Sequence, residues 1–437
     1  MHSLRSVSSL PGVSGYVERT GLTALAGSAT DGAVPRILLL APAAEPLGGV
    51  ERYLRAVEEA LLAGGATLTR LDLPTAPAAA RSGGGLAARM EFTRRAASAA
   101  RRLGRLDALV AGHPDLVKAA AGAASLSGAR RAPVLCYGAD IWRIPPADRA
   151  LLARHPLLFP VTVSSFSAGA LAGTRLPRLL APGVPVAWRA ALLAESTRRR
   201  PHPPVPTVLS VFPLADWADK GLATLVAALA AVRARLGAVR LVVAGHGPAP
   251  GALHELVSAT PDLELHETLP DDALARLYAT ADLFALCTRT RPAGPRPSGE
   301  GYGTVLLEAQ LAGCAVVGPA FGGSRDAYLE GVTGLTPVDE SSEALAETIT
   351  SLLRDRARLT RIGRRGAEWA ESVTRPEDHV RAVFQALLGR PPVPSPEPAA
   401  ASPAGSVPPE QRLAPDRLRG LPTASTGRPA EQGPMPA

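Results

Sequence analysis

The sequence predicts an α/β protein built from two Rossmann-like domains in tandem. Three observations carry that prediction. Apolar runs of strand length alternate with stretches of helical periodicity, the rhythm of parallel sheets covered by helices on both faces. The rhythm breaks at STRRRPHPPVP (196–206) and then restarts. The length, 437 residues, suits two domains of roughly 100–200 residues each with further segments at the ends.

The elements follow in order. Residues 1–34 are small and polar and are predicted to lack structure. RILLLAP (36–42) reads as a buried first strand, GGVERYLRAVEEALLAGG (48–65) as a glycine loop opening a helix, and ATLTRL (66–71) as the second strand. LDALVAG (106–112), PVLCYG (133–138) and PVTVSS (160–165) extend the sheet, giving an N-terminal domain over 35–195. The prolines and three arginines of 196–206 make a stiff, solvated linker. TVLSV (207–211) restarts the pattern, followed by a helix on which Leu222, Leu225, Val226, Leu229, Val232 and Leu236 form one apolar stripe. RLVVAG (240–245), LELH (263–266), DLFALC (282–287) and AVVGPA (315–320) are the next strands, with helices at 271–280 and 303–312. They complete a C-terminal domain over 207–375, after which a helix at 376–390 is expected to return toward the N-terminal domain. Residues 391–437 hold 13 of the 43 prolines and no aromatic residue, and read as a disordered tail.

Charge narrows the function classes. The net charge of +8 is almost wholly arginine, because among 47 basic residues only Lys118 and Lys220 are lysines. Arginines gather at Arg94, Arg95, Arg101, Arg102 and Arg105, at Arg130 and Arg131, and at Arg198 to Arg200. Such clusters suit phosphates or an anionic membrane face, although solvated helix faces in an arginine-rich chain explain them more simply. Aromatic residues make up 4% of the chain and do not interleave with the basic clusters, which argues against nucleic acid. Cys136, Cys287 and Cys314 are odd in number and lack metal-ligand spacing, so they read as reduced core residues of a cytoplasmic protein. No stretch has signal-peptide character, and no run reaches the ~18 uncharged apolar residues of a membrane span, so any membrane contact is expected to be peripheral, at the inner face.

The densest chemical signal is SGEGYGTVLLEAQLAG (298–313), where a glycine-rich turn opens a helix and two glutamates stand eight positions apart. Glu300 lies on the loop and Glu308 inside the helix, a little over one turn after Thr304, so both can face one cleft at different depths. Gly301 and Gly303 leave the amides of the helix start uncovered, and such amides bind phosphate with help from the helix dipole. A diphosphate fits between the carboxylates.

This signature resembles that of the family 4 glycosyltransferases, whose C-terminal motif pairs a Glu with a second Glu after seven residues, beginning E-G-[FY]-G and followed by A-x-x-x-G. GGVERY in the first loop, SSFS (164–167), APGVP (181–185), DKG (219–221), AGHGP (244–248) and FGGSRD (321–326) extend the resemblance over most of 36–388. The resemblance implies the GT-B fold, with two Rossmann-like domains facing across a cleft. It further implies a retaining transfer of a sugar from a nucleoside diphosphate donor to a glycan, lipid-linked or small-molecule acceptor, without metal or other cofactor. Glu300 is then expected beside the donor sugar, Glu308 on the ribose hydroxyls, and Lys220 on the donor phosphates. Gly48 and Gly49 match the loop that approaches the phosphate, and Gly245, Gly247, Gly301, Tyr302, Gly303 and Thr304 complete the donor-binding set. His113 follows a strand, and loops at strand C-termini face the crevice, so it is a candidate catalytic or acceptor contact.

Two positions depart from the family pattern. Pro213 stands where the arginine that partners the lysine is expected, so either another basic group such as Arg289 or Arg291 substitutes or stabilisation of the leaving group is weakened. Tyr137 stands where many relatives carry a histidine. No Asp-x-Asp occurs, and the histidines lack zinc-type spacing. A nicotinamide-dependent dehydrogenase is disfavoured because RILLLAPAAEPLGG lacks G-x-G-x-x-G. The remaining alternatives are a same-fold nucleotide-sugar epimerase or phosphorylase and a degenerate sugar-nucleotide-binding protein that has lost catalysis.

Overall fold

Apolar strands separated by amphipathic helices can bury both faces of a sheet only if the strands run parallel, and the chain does this twice. The structure is a computed structural model that describes residues 5–6, 34–42, 48–73, 84–198, 203–294 and 297–393. The first sheet contains β1 (Arg5–Ser6), β2 (Arg36–Ala41), β3 (Thr67–Asp72), β4 (Ala108–Ala111), β5 (Ala132–Cys136), β6 (Leu158–Thr162) and β7 (Arg178–Leu179), in the order β1-β3-β2-β4-β5-β6-β7. The second contains β8 (Thr207–Val211), β9 (Arg240–Gly245), β10 (Leu263–Glu267), β11 (Leu283–Ala285), β12 (Ala315–Val317) and β13 (Gly334–Leu335), in the order β10-β9-β8-β11-β12-β13. Every pairing is parallel except that of β1 on β3. In each sheet the order reverses beside the founding strand, between β2 and β4 and between β8 and β11. Ligands of open α/β sheets bind outside the carboxyl ends of the strands at such switch points.

The strands expected at 207–211 and 240–245 have those bounds. Others end sooner than their apolar runs: the run at 106–112 forms a ladder only over Ala108–Ala111, and that at 282–287 only over Leu283–Ala285. The extra apolar residues, such as Leu286, remain buried beyond the end of the ladder. Apolar character reports burial, not hydrogen bonding. Arg5–Ser6 pairs with Thr69 and Arg70, a departure from the expectation that 1–34 is unstructured, while residues 1–4 and 7–33 lie outside the described residues. Of the expected tail, 391–393 is ordered against the first domain, with the Val393 N–H donating to the Gly64 carbonyl at 3.1 Å. Residues 394–437 lie outside the described residues.

The two domains exchange helices. The helix Val186–Thr197 runs into the segment read as linker and packs against Asp271–Thr280 and Thr304–Leu311 of the second domain. Trp188 and Leu192 provide its buried face. The final helix, Pro376–Val383, continues as a π turn over Phe384–Leu388 and packs on Gly49–Ala63 of the first domain. Phe384 is fully buried with its ring against Gly64, so close that a Cβ there would lie 2.2 Å from it. One apolar cluster therefore runs from Leu39 and Val110 through Trp188 to Leu307 and Leu387.

Candidate active site

The cleft between the domains has a volume of about 620 Å³ and is lined by the loops at the strand C-termini of both sheets. Ten of the expected residues line it: Gly49, His113, Lys220, Gly245, Glu300, Gly301, Tyr302, Gly303, Thr304 and Glu308. Gly48 is the N-cap of the helix Gly49–Ala63, behind the lining, and Gly247 is a positive-φ turn residue that does not reach the cleft.

The helix Thr304–Leu311 is capped by Gly303 at φ +79°, a left-handed conformation that glycine adopts without penalty. Gly303, Thr304 and Val305, which open this helix, line the cleft. Gly301 serves a different need, because a Cβ there would lie 1.6 Å from the Tyr137 carbonyl oxygen. The two domains meet backbone to backbone at this point. Ser165 of the first domain reinforces the contact by donating its N–H to Asp326 of the second at 2.9 Å, and Arg143 donates to the Pro297 carbonyl at 2.8 Å.

Three polar groups converge at one end. Lys220 donates from Nζ to Oε2 of Glu300 at 2.9 Å, and Thr288 donates its hydroxyl to the same oxygen at 2.9 Å. Burial alone would pull the Lys220 ammonium down, but the charge and hydrogen bond of Glu300, together with the charges of Asp216 and Asp219, hold the lysine above its ordinary value. The Glu300 Oε1 atom has no such partner among the described residues, which leaves an anionic oxygen beside a fixed cation.

Glu308 lies deeper, 4% exposed. Its Oε1 accepts from the Trp188 indole N–H at 2.9 Å and its Oε2 from the Tyr278 hydroxyl at 3.0 Å. Burial first, then Glu308, pushes the Tyr278 phenol well above its usual range, so it stays a donor. Each carboxylate oxygen can accept more than one bond, so Glu308 is oriented without being used up.

On the N-terminal side, His113 caps a short 3-10 turn by accepting at Nδ1 from the Asp115 N–H at 3.2 Å. An accepting Nδ1 places the neutral ring's proton on Nε2. Tyr137, at the position of the relatives' histidine, donates its hydroxyl to the Gly112 carbonyl at 2.7 Å and stacks with His113, 6.2 Å between centroids. It holds the His113 loop.

Neither arginine offered by the sequence as a substitute for the missing charge lies on the cleft wall. Pro213 lines the cleft, but Arg289 and Arg291 do not. Arg289 lies 3.7 Å from Glu340, and Arg291 is tied through its backbone to Ser298. Long side chains on an exposed loop follow the nearest carboxylate, which the spacing in sequence does not reveal. The cleft instead contains Arg52, assigned no role from sequence. Its guanidinium lies 4.5 Å over the Trp188 ring and donates to Asp271 at 2.6 Å. Thr268 was missed as well: it lines the cleft at φ +51°, a conformation that costs a β-branched residue strain. Trp188, one of only four tryptophans, was a visible signal; nothing local marks Thr268.

The description "Glycosyl transferases group 1" belongs to the family profile that matches residues 205–355, which contain the whole of the second sheet. This segment matches the glycosyl transferases group 1 family. The chain is 32% identical over 259 residues to the GDP-mannose-dependent alpha-(1-6)-phosphatidylinositol monomannoside mannosyltransferase of Mycobacterium tuberculosis, covering 56% of this chain and 66% of that protein, just under two thirds of its length. Among solved structures it is similar to the sucrose-phosphate synthase of Thermosynechococcus elongatus (TM-score 0.65, 18% identity, 80% of this chain and 98% of that one). It is also similar to Anabaena HepE in complex with UDP-glucose (TM-score 0.60, 18% identity, 80% and 98%). The fold is GT-B, as the sequence predicted. The group 1 domain supplies Lys220, Glu300, Thr304 and Glu308, and the first domain closes over them with Gly49, Arg52 and His113. No helix among the described residues is long and apolar enough to cross a membrane.

Proposed function

We propose that the chain is a retaining, metal-independent glycosyltransferase that moves a sugar from a nucleoside diphosphate donor to a polyol or glycan acceptor, free or lipid-linked. The observation that carries this reading is that Glu308, the Lys220–Glu300 pair and the start of the helix Thr304–Leu311 all line one interdomain cleft. In this reading Glu308 accepts from the ribose hydroxyls, and the diphosphate lies over the Gly303–Thr304 amides and beside the Lys220 ammonium. Glu300 lies against the donor sugar, its free oxygen facing the anomeric side. His113, with its proton on Nε2, donates to a sugar hydroxyl or to the acceptor.

The bond from the anomeric carbon to the diphosphate breaks, its electron pair leaving with the phosphate oxygen. The acceptor hydroxyl forms the new bond on the same face and gives its proton to the departing phosphate. The charge that develops there is met by donors fixed in the walls of the cleft, where such preorganised groups lower the barrier. No protein nucleophile is needed.

The relative's GDP-mannose dependence and inositol lipid acceptor make GDP-mannose with an inositol-containing acceptor the first pair to test. The protein is screened by thermal shift against GDP-mannose, UDP-glucose and related donors, since a ligand of the native state raises apparent stability. The stabilising donor is then incubated with myo-inositol, inositol phosphate or a phosphatidylinositol monomannoside in EDTA. An α-linked product supports the reading. Inverted stereochemistry, or activity lost in EDTA and restored by magnesium, overturns it; donor binding without transfer to any acceptor supports the degenerate alternative. The arginine clusters on the first domain suit peripheral contact with an anionic membrane, which vesicle co-sedimentation with and without phosphatidylinositol tests.

A further inference from the structure

The donor reading leaves one charge unaccounted for. Lys220 is bonded to Glu300, Pro213 has neither charge nor N–H, and Arg289 and Arg291 do not line the cleft. The other arginines on the cleft wall are Arg52 and Arg143. Arg143 is committed to the Pro297 carbonyl through both Nε and Nη2.

Arg52 is differently placed. It lies in the first turn of the helix Gly49–Ala63, three residues beyond the glycine that faces the donor phosphate in the reading above. Its bond to Asp271 uses one of five N–H donors. The guanidinium carbon lies 4.5 Å from the centre of the Trp188 ring, in cation–π contact, and Arg52 lines the cleft. Trp188 in turn donates to Glu308, so the guanidinium, the indole and the proposed ribose carboxylate are linked by successive contacts. The Arg52 side chain is 14% exposed, whereas Asp271 is 43% exposed and can return to water when released.

We infer that Arg52 is the second cation of the donor site, supplied by the N-terminal domain in place of the absent arginine at position 213, and that its guanidinium exchanges Asp271 for a diphosphate oxygen when the donor binds. This rests on the donor reading above and deepens it. A planar, stacked guanidinium presents paired donors to phosphate at little further loss of freedom. The exchange makes the phosphate a bridge between domains, with Lys220 on one side and Arg52 on the other, so donor binding and closure of the cleft become one event. Asp271 then holds the arginine in place in the empty cleft and competes with the donor for it.

The test uses the full chain with GDP, UDP, guanosine and uridine as probes, titrated calorimetrically. Arg52→Ala is expected to weaken the better-bound nucleoside diphosphate roughly 10- to 100-fold, the worth of a charge-assisted hydrogen bond or a bidentate pair, while changing the affinity of the matching nucleoside less than about twofold. Asp271→Asn is expected to move diphosphate affinity the other way, raising it or leaving it unchanged. If Arg52 were only a strut between the domains, both variants would weaken diphosphate binding alike, and that outcome overturns the inference. Should Arg52→Ala fail to fold, Arg52→Gln preserves the stacking on Trp188 and must give the same selective loss, and Asp271→Asn is read on its own. Diphosphate affinity lowered by Glu308→Gln but unchanged by Arg52→Ala refutes the role of Arg52 and spares the donor site. No binding of GDP or UDP to the wild type refutes both.

Discussion

Replacing Glu308 separates the ribose role from a structural one, because the structure fixes what each substitution removes. The carboxylate is 4% exposed and accepts from Trp188 and Tyr278. Glu308→Ala leaves both donors buried without an acceptor, each costing about 1–3 kcal/mol, so it destabilises the fold by roughly 2–6 kcal/mol and a loss of binding would be ambiguous. Glu308→Gln keeps the shape. Its Oε1 still accepts from the Trp188 N–H, and its amide can donate to the Tyr278 oxygen, whose hydroxyl can rotate away. What it loses is the charge on the oxygens that would hold the ribose. Charge-assisted bonds are worth about 1.5–3 kcal/mol and neutral ones about 0.5–1.5 kcal/mol, so the loss is about 1–2 kcal/mol. That corresponds to a nucleotide Kd raised about 5- to 30-fold. Calorimetric titration of the stabilising nucleoside diphosphate into wild type and Glu308→Gln, with melting temperatures measured in parallel, reads both effects. A Gln variant with unchanged Kd and unchanged melting temperature would remove Glu308 from the donor site and leave it a core residue.

Other perturbations follow from the same geometry. Glu300→Gln is expected to preserve nucleotide affinity and lower kcat at least tenfold, because the carboxylate is placed against the sugar and orients Lys220; normal turnover would refute that placement. Gly301→Ala pushes a methyl group into the Tyr137 carbonyl and should keep the cleft open, seen as a larger radius of gyration with turnover lost and the fold retained. His379 is held down to about 4 by burial against the Gly183 loop, with its Nε2 unpartnered among the described residues. A histidine depressed in the folded state contributes stability above its unfolded pKa of about 6.5 and loses it as pH falls toward 4, on the order of 3 kcal/mol in all. Glu58, pushed up to about 7 by burial despite Arg70, works in the opposite direction over the same window. The readout is therefore the difference between wild type and His379→Leu, whose melting temperature should fall less between pH 7 and pH 5; equal falls would refute the assignment.

The sequence alone determined the things that depend on near neighbours along the chain. Apolar runs of strand length fixed the two sheets, with TVLSV and RLVVAG at their observed bounds, because a strand buried on both faces must be apolar along its length. The motif at 298–313 placed Glu300 and Glu308 on one cleft for an equally local reason: helix geometry sets the displacement between a loop residue and one in the next turns. Tertiary structure decided what depends on residues far apart in sequence. That Glu308 is oriented by Trp188 and Tyr278, at separations of 120 and 30 residues, follows from the exchange of the 186–197 helix between domains. That Arg52 rather than Arg289 lines the cleft goes with the carboxylate each guanidinium meets, Asp271 in one case and Glu340 in the other. A charged side chain several bonds long can reach in many directions, and only the packed surroundings select one.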